Sequence, residues 1–161
     1  MLPFPAGKDI FELDKLFFVV HQDNVHWGLA VIFMQLKRIQ FYDSLGVSGR
    51  HYLTALLAYL QQEHEHKRNC PLPDPDSWEL IQCIDDTPRQ TNGTIIAAIF
   101  CSVHLNLTHY VSSTPLGFDC GVFTCMYAYC LSTNLPVVAF AQDDMGNCRD
   151  RIAISIIKNF K

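Results

Sequence analysis

KLFFVVHQDNVHWGLAVIFM, residues 15–34, is the stretch on which the fold class turns. Two runs rich in β-branched and aromatic residues, Lys15 to Val20 and Trp27 to Met34, flank the polar group His21-Gln22-Asp23-Asn24. That pattern predicts two strands joined by a turn. Downstream, Arg38 to Tyr42 (RIQFY) alternates and stops at Asp43-Ser44-Leu45-Gly46, a third strand followed by a turn. Strands joined by short connections tend to pair, so the three are expected side by side in one sheet.

From Ser48 the period changes. Tyr52, Leu53, Leu56, Leu57 and Leu60 fall at helical intervals, and polar Gln61 to Arg68 completes the helix. Pro71, Pro73 and Pro75 break regular structure, and Ser77 to Asp85 alternates as a fourth strand before the turn-like Asp86 to Asn92. Asp119 to Leu131 returns to helical spacing through Val122, Phe123, Met126, Tyr127 and Cys130. Arg149 to Phe160 is a last amphipathic helix through Ile152, Ile156 and Ile157. A mixed α/β (α+β) domain is implied, with no internal repeat.

The 161 residues, 49% hydrophobic and 17% charged, suffice for one globular domain with a core. A net charge of -4 with no basic block offers no footprint for nucleic acid or an anionic membrane. Leu29 to Met34 is too short to cross a bilayer, and Ile95 to Tyr110 is diluted by polar residues. Seven cysteines, an odd set without a metal-type pair, and an opening without a signal-peptide pattern point to a reducing compartment, nucleus or cytoplasm.

Cys120 follows Asp119 and precedes Gly121 at the first turn of a predicted helix. There, unpaired N–H groups and the positive dipole end stabilise a thiolate. The alternative is one more buried cysteine, the reading given to Cys125 and Cys130 inside the helix. A thiolate nucleophile needs a base and a group that fixes the base's tautomer. His26 opens the second strand and Asp43 closes the third, so an antiparallel pair sets these two ends side by side.

The segments DIFELDKLFFVVHQDNVHWGLAVI (9–32), FYDSLG (41–46) and DCGVFTCMYA (119–128), in this order, closely resemble the ubiquitin-like-protein-specific proteases, the SUMO (sentrin) protease family. The resemblance covers nearly all of 9–93 and 118–160. It implies a papain-like cysteine protease fold, with a mixed sheet packed on helices. It also implies a triad of His26, Asp43 and Cys120, whose chain order differs from papain's cysteine-first order. The implied activity is peptide and isopeptide hydrolysis after the C-terminal Gly-Gly of a SUMO-like ubiquitin-fold modifier, by precursor processing or release from conjugates, with no metal or organic cofactor. Trp27 matches the aromatic residue that roofs the family's Gly-Gly channel; without the resemblance, core packing explains it equally well.

Two departures stand out. The family's oxyanion glutamine lies six positions before the cysteine, where this chain has Thr114. Joining Gly93 directly to Phe118 would give QTNGFDCGVF and place Gln90 at that spacing. Thr94 to Gly117, 24 residues without Asp, Glu, Lys or Arg, therefore reads as an insertion, either retained intron sequence or a natural regulatory element. Gln90 and Cys120 are expected to meet only if Gly93 and Gly117 stay close in space. Second, nothing precedes residue 9 that corresponds to the family's N-terminal helices, so 1–161 reads as a partial, N-terminally truncated catalytic domain. A catalytically impaired remnant or non-catalytic modifier-binding module is the alternative function, and NEDD8 or a viral polyprotein the alternative substrate. HEHKRNC (64–70) lacks a complementary pair at zinc spacing and reads as solvated surface, so no metal site is assigned.

Overall fold

The expected hairpin forms, and it is longer than its apolar runs. In the computed structural model, which describes residues 9–83, 85, 87–91 and 119–159, β1 (Lys15–Gln22) pairs antiparallel with β2 (His26–Phe33), carrying His21 opposite Trp27 and Gln22 opposite His26. The polar group 21–24 is thus half strand. The reversal contracts to a turn closed by the Val25 N–H on the Gln22 carbonyl at 3.0 Å. Asp23 (φ 49°) and Asn24 (φ 59°) take the left-handed conformation that suits a tight hairpin and that short polar side chains tolerate.

β3 (Arg38–Tyr42) pairs antiparallel with β2, and β4 (Glu79–Cys83) pairs parallel with β3, giving the order β1-β2-β3-β4. The parallel step needs a crossover, which α1 (Arg50–Arg68) supplies. β4 is shorter than the alternation of 77–85 suggested because Pro75–Ser77 closes a 3-10 turn first; proline, whose fixed φ suits the start of a helical turn, opens it. α2 (Cys120–Ser132) covers one face of the sheet and α1 the other.

This layering explains the unbroken apolar run of β2. Leu29, Val31 and Phe33 join Phe123, Met126, Tyr127 and Cys130 of α2, while Ala30 and Ile32 pack with Leu53 and Leu60 of α1. A strand covered on both faces has no place for polar alternation. Burial of each large side chain contributes about 1.5–3 kcal/mol. Residues 29 to 32 are fully buried, which makes β2 the fixed frame from which His26 projects.

α3 (Met145–Asn159) starts a turn earlier than its isoleucines suggested. The Asp144 carboxylate accepts the Ala141 N–H at 2.9 Å and sets the entry, and Met145 and Cys148, not the isoleucines, are buried against α2. Ile156 and Ile157 are exposed, contrary to the expected core stripe. Cys125 likewise lies on the open side of α2, whereas Cys130 is buried as expected. Thr94 to Gly117, Gly93 and Phe160 lie outside the described residues, as does position 114. Among the described residues no helix is long and apolar enough to cross a membrane.

Candidate active site

Three elements converge at one end of the sheet. His26 opens β2, Asp43 follows β3 directly, and Cys120 is the first residue of α2. The β2–β3 register, Leu29 opposite Tyr42, carries on to set Asp43 beside Gly28. A Cβ on Gly28 would stand 2.7 Å from Phe41 Cζ and 3.4 Å from Asp43 Oδ2, so glycine is what lets the two strands close here.

Asp43 is almost wholly buried and its carboxylate is fully engaged. Oδ1 accepts the backbone N–H groups of Leu45 and Val47, both at 2.9 Å. Oδ2 lies 2.6 Å from His26 Nε2 and accepts Gln22 Nε2–H at 2.9 Å. With its Nε2 proton on Asp43, the imidazole has Nδ1 left for the Cys120 thiol, with which the ring also hydrogen-bonds. The structure therefore brings His26, Asp43 and Cys120 together in the predicted order.

The charges reinforce the arrangement. Burial works against an imidazolium at His26, but the bonds to Asp43 and Cys120 and their negative charges outweigh it and raise its pKa to about 9. Burial likewise opposes a thiolate at Cys120. The His26 bond, the Trp27 backbone N–H, the His26 charge and the Gly121 backbone N–H overcome that and lower its pKa below the ordinary thiol value. At Cys130 and Cys148 burial is the main influence, and it pushes both thiols upward. Both shifts run in the direction of a thiolate–imidazolium pair, and a thiolate beside a proton donor is the arrangement that acyl transfer requires.

Trp27 is 38% exposed, which rules out the core-packing alternative. Its ring stacks on His21 with centroids 3.9 Å apart and planes 10° from parallel, the consequence of their facing positions on β1 and β2. A Cβ on Gly121 would meet its Cδ1 at 3.7 Å, so the indole lies over the residue next to Cys120.

Gln90 is buried beside the turn after β3. Its N–H donates to the Ser44 carbonyl at 2.9 Å, and its Oε1 accepts the Ser44 hydroxyl at 3.3 Å. Tyr127, on the helix led by Cys120, donates its hydroxyl to the Pro88 carbonyl at 2.5 Å. The expected condition on Gly93 and Gly117 concerns positions outside the described residues.

Two contributors escaped the reading of the sequence: the Gln22 side chain and the Trp27 backbone. Gln22 sat in a polar group that reads as a turn. The signal for it was parity, because the even positions Leu16, Phe18 and Val20 face inward and Gln22 continues them. Away from this site, His64 Nδ1–H donates to the Cys70 carbonyl at 2.9 Å and its ring meets the Phe11 ring edge-on. Among the described residues no group of three or more His, Cys, Asp or Glu is placed to hold a metal.

Comparison with known proteins bears on the family and the fold. The sequence model described as "Ulp1 protease family, C-terminal catalytic domain" matches residues 3–94 and 105–161, skipping 95–104. Human sentrin-specific protease 2 is 29% identical over 151 residues, covering 94% of this chain and 21% of that protein. Two solved structures of the SUMO protease Ulp1 are similar. One, with its catalytic cysteine oxidized to a sulfenic acid, aligns at a TM-score of 0.64 and 26% identity over 94% of this chain and 56% of that one. The other, in complex with SMT3, the yeast ortholog of SUMO, aligns at 0.58 and 25% over 88% and 51%. The chain thus spans about a fifth of the sequence relative and about half of each solved chain. With a match over most of its length and the fold of those structures, the chain belongs to the Ulp1 protease family, in the part that forms the C-terminal catalytic domain.

Proposed function

We propose that the chain is a cysteine peptidase and isopeptidase that cleaves after the C-terminal Gly-Gly of a SUMO-like modifier, in precursor processing and in release from conjugates. The observation that carries this reading is His26 set between Asp43, at 2.6 Å, and the Cys120 thiol, with which it hydrogen-bonds. The Cys120 thiolate attacks the glycine carbonyl, and the oxyanion is stabilised by the Gln90 carboxamide and the Cys120 backbone N–H. His26, as imidazolium, protonates the leaving amine and then acts as base for the water that hydrolyses the thioester, while Asp43 holds its tautomer.

Trp27, stacked on His21 and lying over Gly121, is suited to roof a channel that admits glycine and excludes substrates with side chains. The SUMO-like substrate follows from the names of the similar proteins, one of them solved with SMT3. Residues 1–161 form part of one catalytic domain, interrupted at 94–117, working in a reducing compartment, nucleus or cytoplasm, where the thiolate stays nucleophilic. An ordered triad with a lowered Cys120 pKa argues against a non-catalytic remnant.

The test is turnover of a SUMO bearing a C-terminal fluorogenic amide, with Cys120→Ala as control. Release of fluorophore by the wild-type chain and none by the control is the expected result. Equal rates for the two would overturn the proposal.

A further inference from the structure

The candidate oxyanion donor and the candidate nucleophile lie on opposite sides of residues 92–118, and a contact outside that segment ties their neighbours together. Gln142, in the 3-10 turn Gln142–Asp144 that leads into α3, accepts the Thr91 N–H on Oε1 at 3.0 Å and donates Nε2–H to Asp119 Oδ2 at 2.8 Å. Thr91 follows Gln90 and Asp119 precedes Cys120. A single planar carboxamide therefore joins the residue after the donor to the residue before the nucleophile.

The surroundings make this clasp stiff. Asp119 is 2% exposed, and its other oxygen accepts the Arg149 guanidinium from α3. The turn that bears Gln142 is fixed by the Asp144 carboxylate on the Ala141 N–H. On the other side of Gln90, Tyr127 holds the Pro88 carbonyl to α2, so Gln90 is tied to the nucleophile's surroundings both before and after. The position demands an acceptor toward Thr91 and a donor toward Asp119. Glutamate would accept but not donate, and would set a second negative charge against Asp119. Methionine has the same length and offers neither bond.

We infer that Gln142 is a positioning residue that keeps the Gln90 carboxamide in register with Cys120 across the interrupted segment. It deepens the proposed function and rests on it. Placement errors of about 1 Å can cost a hundredfold in rate, and loss of an oxyanion donor outright costs about 10²–10³-fold. A donor that is loosened but still present falls below that ceiling.

The test compares Gln142→Met and Gln142→Glu with the wild-type full chain in three readouts. Turnover of the SUMO amide is expected to fall about 10- to 100-fold, chiefly in kcat, with KM little changed. Alkylation of Cys120 by iodoacetamide, a displacement that forms no oxyanion, is expected to stay within about threefold, which also reports an intact fold. Hydrogen exchange at the Thr91 amide is expected to quicken in Gln142→Met. Unchanged Thr91 exchange would overturn the inference, as would turnover and alkylation falling together, the mark of general support for the helix. A wild-type chain with no turnover, whose Thr91 exchange still responds to Gln142→Met, would count against the proposed function and leave the clasp standing.

Discussion

Asp43→Asn is the sharpest perturbation the geometry offers, because it changes one buried atom and forces a proton to move. The Asp43 carboxylate accepts four hydrogen bonds, two from backbone N–H groups and two from the side chains of Gln22 and His26. An amide has one acceptor end and one donor end. The Leu45 and Val47 N–H groups cannot turn away, so the oxygen of the new amide stays on them and its –NH2 faces Gln22 and His26. Gln22 can reverse its own amide and accept. His26 can accept only by moving its proton from Nε2 to Nδ1, the nitrogen turned toward Cys120. A ring protonated there cannot take the thiol proton. The same wrong-tautomer substitution in serine-protease triads costs on the order of 10⁴-fold in kcat, or about 5.5 kcal/mol at roughly 1.36 kcal/mol per tenfold. Loss of the charge-assisted bond to His26 removes a further contribution to folding of about 1.5–3 kcal/mol. Single-turnover cleavage of the SUMO amide, beside urea unfolding, measures both. An Asp43→Asn chain that is folded and cleaves within about tenfold of wild type would refute the tautomer argument.

Four further outcomes follow from the geometry of the site. Gln22→Leu removes one of two donors on Asp43 Oδ2 at the buried end of β1 and should lower kcat about 3- to 10-fold, about the weight of a single net hydrogen bond, while leaving KM unchanged; a wild-type kcat would show that Gln22 only fills space. In Cys120→Ser the thiolate that helps raise His26 is gone, so the imidazole pKa read by NMR should drop from about 9 toward its ordinary value, and a titration still centred near 9 would contradict the ion pair. The same raised pKa means that His26 stabilises the fold fully below about pH 6.5 and loses that contribution as pH climbs through about 9. Gly28→Ala sets a methyl group 2.7 Å from the Phe41 ring and should cost about 1–3 kcal/mol in urea unfolding, and an unchanged midpoint would mean that β2 and β3 separate freely there.

Much of this site was legible in the chain because its parts sit at element ends, where sequence signals are strongest. The stop of RIQFY at Asp43 and the start of the apolar run after His26 placed the pair, and the position of Cys120 ahead of a helical stripe placed the candidate nucleophile. What stayed hidden depends on partners distant in sequence. Gln22 reads as turn until β1 is known to extend to it, and Gln142 is one polar residue in QDD until Thr91 and Asp119 are brought to either side of it. The stabilising N–H of Trp27 belongs to the backbone and leaves no mark in residue identity. The isoleucines of α3 misled for the complementary reason, since helical period reports a stripe but not what lies opposite it, and it is the first turn of α3 that is buried against α2.

The most direct test of the triad is to expose the purified chain to SUMO carrying a C-terminal electrophile and to find the modified cysteine by mass spectrometry. A single adduct at Cys120, absent from Cys120→Ala and slowed by His26→Ala, is the result the geometry predicts. An adduct at exposed Cys70 or Cys125 in its place, or equal labelling of the Cys120→Ala chain, would contradict it.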